Sequence, residues 1–304
     1  MYIWNRKSES KKRLSVENLH SIVFGQKADA YMRKFTLSFA IFGFALHLLL
    51  WLVHTANLVS FPDSAHHLLA SPLFALYTPF SILLGYEVYE IIRAIPESFS
   101  TAVGKQYEVA TLLVVRDVFK RLSEAQFSND WTISNDLGLV LIECSAFLLL
   151  FYTALQYQNF GNKLKSNSWD KQALENFVSG KKVIAILLMA TFVIITALAF
   201  VGWLSMTLDG TFAVGRSIFF SDFFTCLILA DILILLISYS LAHDFYLLVR
   251  NTGFVLSTVL LWVAITASGV SGIILFITSA INGIIILKIS QHYSTYLKGD
   301  DKWQ

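Results

Sequence analysis

The chain has 304 residues, of which 56% are hydrophobic and only 14% charged, and its mean hydropathy is +0.61. A soluble domain carries about 25% charged residues, so the water-facing surface of a soluble protein of this size is missing. The net charge of +2 is too small to imply a nucleic-acid partner. The two cysteines, Cys144 and Cys226, lie inside apolar runs with no CxxC or Cys/His spacing, which leaves them as small buried hydrophobes rather than zinc ligands.

Residues 1–34 form a basic segment that includes Arg6, Lys7, Lys11, Lys12 and Arg13, with no apolar core before Phe35. A cleaved secretory signal needs such a core soon after its charges, so the first apolar run is expected to act as an uncleaved anchor. Val16–Phe24 and Tyr31–Phe35 fit an interfacial helix on the inner leaflet, where each lysine or arginine gains about 1 kcal/mol from anionic lipid.

A helix needs about 20 apolar residues to cross the hydrocarbon core. Runs of that kind cover 35–59, 72–95, 137–157, 183–206, 218–242 and 271–290, with a shorter stretch at 254–268. Pro72 suits a first helical turn, Pro79 frees the Ala75 carbonyl inside the second span and predicts a kink, and Pro96 closes that span. Ser134, Asn135 and Asp136 supply cap-forming residues for the fourth. The segment 105–122 is ambiguous, because it carries Glu108, Arg116, Asp117, Lys120 and Arg121.

Lysine and arginine near span ends concentrate in cytoplasmic loops. If 105–122 spans, 19 of the 23 basic residues fall on one side, against 14 if it lies along the surface. The expectation is an all-α polytopic membrane protein of eight transmembrane helices with both termini cytoplasmic, in a bacterial inner (plasma) membrane. Its parts are the basic segment 1–34, a four-helix unit at 35–157, a basic cytoplasmic loop at 158–182, a second four-helix unit at 183–290 and a tail at 291–304.

The two units carry a short internal echo. Glu87-Val-Tyr-Glu-Ile-Ile-Arg93 recurs as Asp244-Phe-Tyr-Leu-Leu-Val-Arg250, and Ser100-Thr101 matches Ser257-Thr258 at the same offset. Read as ends of the second and sixth spans, the motifs predict two parallel four-helix repeats; aromatic and arginine anchoring at the membrane boundary accounts for them equally well.

An ionisable residue at bilayer depth costs about 2.5–3.5 kcal/mol on insertion scales and tends to be paired and functional. Glu87 and Glu90 share a face of the second helix. Arg116 and Lys120 share one on the third, and Asp117 and Arg121 stand at pairing distance there. Glu143 sits among apolar residues of the fourth, and His47 and His54 face one side of the first. Depth counting predicts an outer cluster of His54, Lys120 and Glu143, an inner cluster of Glu87, Glu90, Arg93 and Glu108, and Arg116 between them. Asp231, expected near the midplane of the second unit, requires a partner across helices, for instance Arg116. Such groups serve either a proton or ion relay or a structural ladder of ion pairs. The two histidines fit packed, hydrogen-bonded side chains better than haem ligation.

Acidic residues on one helix and spaced cations on the next resemble a voltage-sensor bundle. No helix here, however, carries arginine at every third position over several turns, and no potassium filter, phosphate loop or zinc-protease motif is present. Pieces as short as 1–34 and 158–182 hold no soluble catalytic domain, so an enzyme would have to do its chemistry within the membrane, a reading that ranks a distant third, and no cofactor or metal is expected. The expected function is a channel or ion-coupled transporter using Asp231, Arg116, Glu143, Lys120, His54, His47, Glu87, Glu90 and Glu108. The alternative is a sensor or assembly protein whose buried charges set helix pairing and whose basic segments bind a partner or anionic lipid. Lipid is the expected surrounding, and a homo-oligomer is compatible with either role.

Overall fold

A computed structural model of the chain describes residues 16–59, 69, 71–124, 135–161, 171–208, 216–239, 245–267 and 269–300. The described residues form eight long helices: α1 (Gln26–Thr55), α2 (Phe74–Ala94), α3 (Phe99–Glu124), α4 (Asn135–Gly161), α5 (Lys171–Leu208), α6 (Arg216–Tyr239), α7 (Phe245–Thr266) and α8 (Val270–Asp300). A shorter helix at 16–24 precedes α1. Among the described residues, six segments are long and apolar enough to cross a membrane, and α2 and α3 are not among them. The protein is therefore a multi-pass membrane protein in which six spans follow from length and composition alone.

The burial pattern inverts that of a soluble protein. Phe35, Phe39, Ile41 and Phe42 on α1, and Leu187, Ile194, Leu198 and Val201 on α5, are exposed. Apolar surface on this scale has no place in water and fits hydrocarbon. The interior is assembled around α3, which packs between α2 and α4 and against α7. Of residues 99–119 only Asp117 is exposed, so this most polar of the helices is also among the most enclosed.

Polar contacts fix the direction of α3 relative to its neighbours. Near its start, Glu108 accepts a hydrogen bond from Gln158, close to the end of α4. Near its finish, Arg121 pairs with Glu143, close to the start of α4. Thirteen residues of α3 thus run antiparallel to fifteen of α4, a rise of about 20 Å. On the other flank, Lys105 meets Glu90 near the end of α2, and Phe119 stacks on Phe80 near its start, with ring centroids 5.3 Å apart.

Several boundaries differ from the expected ones. Residues 158–161 and 171–182 of the expected loop belong to α4 and α5, and α1 extends back through the polar residues 26–34. Pro72 lies just ahead of α2, where the Ala75 amide bonds its carbonyl, and Pro79 lies inside the helix as expected. The cysteines are free and half-buried.

The echoed motifs occupy different structural positions. The first closes α2, and its Ser100-Thr101 falls beyond the Pro96 turn in α3. Phe245–Arg250 instead opens α7 and runs unbroken to Ser257-Thr258, while Asp244 lies outside the described residues. The two motifs therefore mark different helix ends, the close of α2 and the opening of α7. The two four-helix stretches do mesh at matching positions, α3 against α7 and α4 against α8.

Candidate functional site

Four consecutive residues of α3 project about 100° apart, and each reaches a different neighbour. Lys105 lies 3.6 Å from Glu90 of α2 and 2.6 Å from Glu108. Gln106 donates to Asp231 of α6 at 2.8 Å. The Tyr107 hydroxyl donates to the Ser279 carbonyl of α8 at 2.8 Å. Glu108 takes the Gln158 amide of α4. Together they tie α3 into a polar belt at one level of the bundle, about 10 Å from the start of the helix.

On the α2 side the belt is ionic. Arg93 bridges Glu90 at 2.9 Å and Asp29 of α1 at 3.2 Å, and Glu87 interacts electrostatically with Lys105. The predicted inner cluster of Glu87, Glu90, Arg93 and Glu108 is thus brought together, with Asp29 and Lys105 as further members. In the sequence Lys105 is the first residue of the ambiguous segment 105–122, and Asp29 lies within the basic segment 1–34.

On the opposite side the belt contains one acid and one base. Asp231 and Lys181 are both buried. Lys181 Nζ donates to the Glu97 carbonyl at 2.5 Å and lies 5.0 and 5.1 Å from the ring centroids of Phe99 and Phe177. Ring faces partly replace water around an ammonium. Asp231 interacts electrostatically with Lys181 without the short contact of an ion pair, and the Thr258 hydroxyl is a further partner. Trp262 donates to Gln106 Oε1 at 2.9 Å and stacks on Phe224 with centroids 4.0 Å apart.

The suggested pairing of Asp231 with Arg116 is not what the fold builds. Arg116 lies ten residues beyond Gln106 on α3, about 15 Å away, and bonds its neighbour Asp117 at 3.2 Å. Asp231 sits at the middle of the apolar span Asp222–Tyr239, eight residues or about 12 Å from the end of α6. Lys181 takes the place of Arg116 because α5 begins early and carries that lysine onto the buried stripe of Phe177, Ile184, Ala185 and Leu188. That spacing is legible in the sequence, but the lysine reads there as one more loop charge.

The outer cluster is rearranged as well. Glu143 pairs with Arg121 at 2.5 Å, one residue beyond the expected Lys120 and 100° around the helix. The Lys120 side chain lies outside the described ones. The proposed Asp117–Arg121 pair is likewise replaced by Arg116–Asp117 and Arg121–Glu143. His47 Nδ1 lies 2.7 Å from Thr78 Oγ1 and links α1 to α2, and His54 stands in the last turn of α1. Between belt and outer pair lie buried Val109, Ala110, Leu113 and Val114, and Thr111 spends its hydroxyl on the Tyr107 carbonyl. Among the described residues, no group of three or more His, Cys, Asp or Glu is placed to hold a metal ion.

Neutral polar residues complete the belt. Tyr107 stacks on Tyr157, which donates to the Gly283 carbonyl at 3.2 Å. Ser279 donates to the Ser257 carbonyl at 2.7 Å, and Asn282 donates to Ser257 Oγ at 3.0 Å. None of these, nor Gln106 or Trp262, stands out in a search for ionisable residues. No protein-family model matches the chain, and no curated protein or solved structure is similar to it.

Proposed function

We propose that the chain is an eight-span membrane protein with an ion- or proton-conducting path, in which Asp231, Gln106 and Lys181 form the exchange site. One observation carries this reading: a carboxylate and an ammonium on neighbouring helices are both buried and interact electrostatically without a direct ion pair, the carboxylate held by the Gln106 amide and the ammonium by the Glu97 carbonyl. Holding two such groups at membrane depth is costly, and a purely structural pair gains most by closing. Left apart, each can gain or lose a proton or meet a mobile ion while keeping its other contacts.

Eight spans are supported by the course of α3. It follows α4 for about 20 Å from one polar end to the other, so a membrane crossed by α4 is crossed by α3. The positive-inside count then assigns the belt end to the cytoplasm. The outward part of the path is Arg116 and the Arg121–Glu143 pair, and the apolar layer of Val109 to Val114 acts as a barrier that must open during transfer.

The second reading, a sensor or assembly protein, is favoured by the way the belt closes around α3 instead of extending along it. Purified protein in liposomes loaded with a pH dye and a potential dye separates the two. Flux above that of protein-free liposomes, lowered about tenfold or more in Asp231→Asn, is the expected result. Flux unchanged in that variant removes Asp231 from the path, and no flux at all from well-folded protein leaves the sensor reading.

A further inference from the structure

The helix at 16–24 is held against the belt end by contacts that involve the belt itself. Its last two carbonyls have no partner within the helix, as at any helix C-terminus, and α2 supplies both donors. The Tyr89 hydroxyl bonds the Val23 carbonyl at 2.9 Å, and Arg93 Nε bonds the Phe24 carbonyl at 3.3 Å. The Phe24 side chain is buried and stacked on Tyr89, with centroids 5.7 Å apart. At the other end of this helix, Glu17 lies 3.6 Å from Lys182 of α5. Leu19 and Ile22 face outward and exposed, as expected of a helix lying in a lipid interface.

Two features turn this contact into a device. Gly25 separates the short helix from α1 at an angle at which a Cβ would overlap the Ser21 carbonyl oxygen, so the bend depends on glycine. Arg93 holds the helix by one nitrogen and the belt by another, bonding the Phe24 carbonyl, Asp29 and Glu90 at once. Through Glu90 it is linked to Lys105, which sits beside Gln106.

We propose that residues 16–24 are a latch on the belt end, hinged at Gly25 and clasped by Arg93, whose docking depends on the charge arrangement of Glu90 and Lys105. This regulatory role rests on the conducting reading only for its consequence. Docking itself is measured without flux. Cys144 and Cys226 are replaced by serine in the full chain, Glu17→Cys and Lys182→Cys are introduced, and closure by a short bismaleimide is followed in native membranes. The parent pair is expected to cross-link rapidly. Arg93→Gln should slow closure about tenfold, the loss of a hydrogen bond from a charged group, and Gly25→Ala should slow it severalfold through the overlap of its Cβ with the Ser21 carbonyl oxygen. Lys105→Met should change the rate severalfold although Lys105 lies beyond Glu90 from the latch.

Failure of the parent pair to close overturns the latch. So does closure at the parent rate in both Gly25→Ala and Arg93→Gln when these elute from gel filtration like the parent. An unchanged rate in Lys105→Met overturns the link to the belt. Locking the latch should then lower liposome flux severalfold relative to the uncross-linked protein, and equal flux in the two forms overturns its regulatory role. Expected cross-linking without any flux would instead leave the latch standing and remove the conducting function.

Discussion

Trp262 determines which way round Gln106 sits. An indole N–H can only donate, so the Gln106 carbonyl must face Trp262 at 2.9 Å, and its amino group is left for Asp231 at 2.8 Å. An aromatic residue of α7 thereby ensures that a carboxylate of α6 meets a donor from α3. Trp262→Phe keeps the stacking on Phe224 but leaves Gln106 Oε1 without its donor. The expected cost is about 1–3 kcal/mol, that of a buried acceptor left unsatisfied, read as a lower unfolding temperature in detergent. Equal unfolding temperatures for variant and parent would show that the amide finds another donor.

Lys181 and Asp231 should behave as a coupled pair. Removing one partner leaves the other buried without its counter-charge, a loss of about 3–5 kcal/mol where pairing is strong. Lys181→Met and Asp231→Leu are therefore each expected to destabilise the protein. The double variant should lose less than the sum, by about 1 kcal/mol or more. Strict additivity in the double-mutant cycle would mean that Asp231 gains nothing from Lys181.

The difference between the expected and observed site follows from what a single helix reveals. Hydropathy exposes an out-of-place charge, and so Asp231, Glu90, Glu108 and Glu143 are legible, whereas for α3 hydropathy is ambiguous and only the distribution of lysine and arginine points through the bilayer. Partners across helices depend on rotation and relative height, which no single run encodes. A shift of one residue moved the partner of Glu143 from Lys120 to Arg121, and the early start of α5 brought in Lys181 where Arg116 was expected. Gln106 and Trp262 carry no charge, and nothing in their own runs marks them as the link between Asp231 and α7.

Gly283 is fixed by the two tyrosines beneath it. A Cβ there would stand 2.7 Å from the Tyr107 hydroxyl and 3.3 Å from that of Tyr157. Tyr107 cannot readily yield, because its hydroxyl is bonded to Ser279 and its ring is stacked on Tyr157 at 5.5 Å. Gly283→Ala is expected to cost about 1–3 kcal/mol by overpacking. Tyr107→Phe removes the clashing atom, so the double variant should unfold above Gly283→Ala alone. If adding Tyr107→Phe lowers stability further, the crowding lies elsewhere on α8.

The course of α3 makes the membrane topology testable one loop at a time. If α3 crosses with α4, the segment 125–134 emerges on one side and 162–170 on the other, together with the latch. If α3 lay along the surface instead, 162–170 would face outward with its lysines, and the Arg121–Glu143 and Glu108–Gln158 contacts could not both form, because they sit about 20 Å apart along α4. Single cysteines at Asn129 and Ser166, in a background with Cys144 and Cys226 replaced by serine, separate the two arrangements. An impermeant maleimide added to intact cells should label the first and spare the second, and both should react after lysis. Labelling at 166 from outside would put the lysines on the wrong side and remove α3 from the bilayer, and with it the depth that makes Asp231 and Lys181 costly to bury.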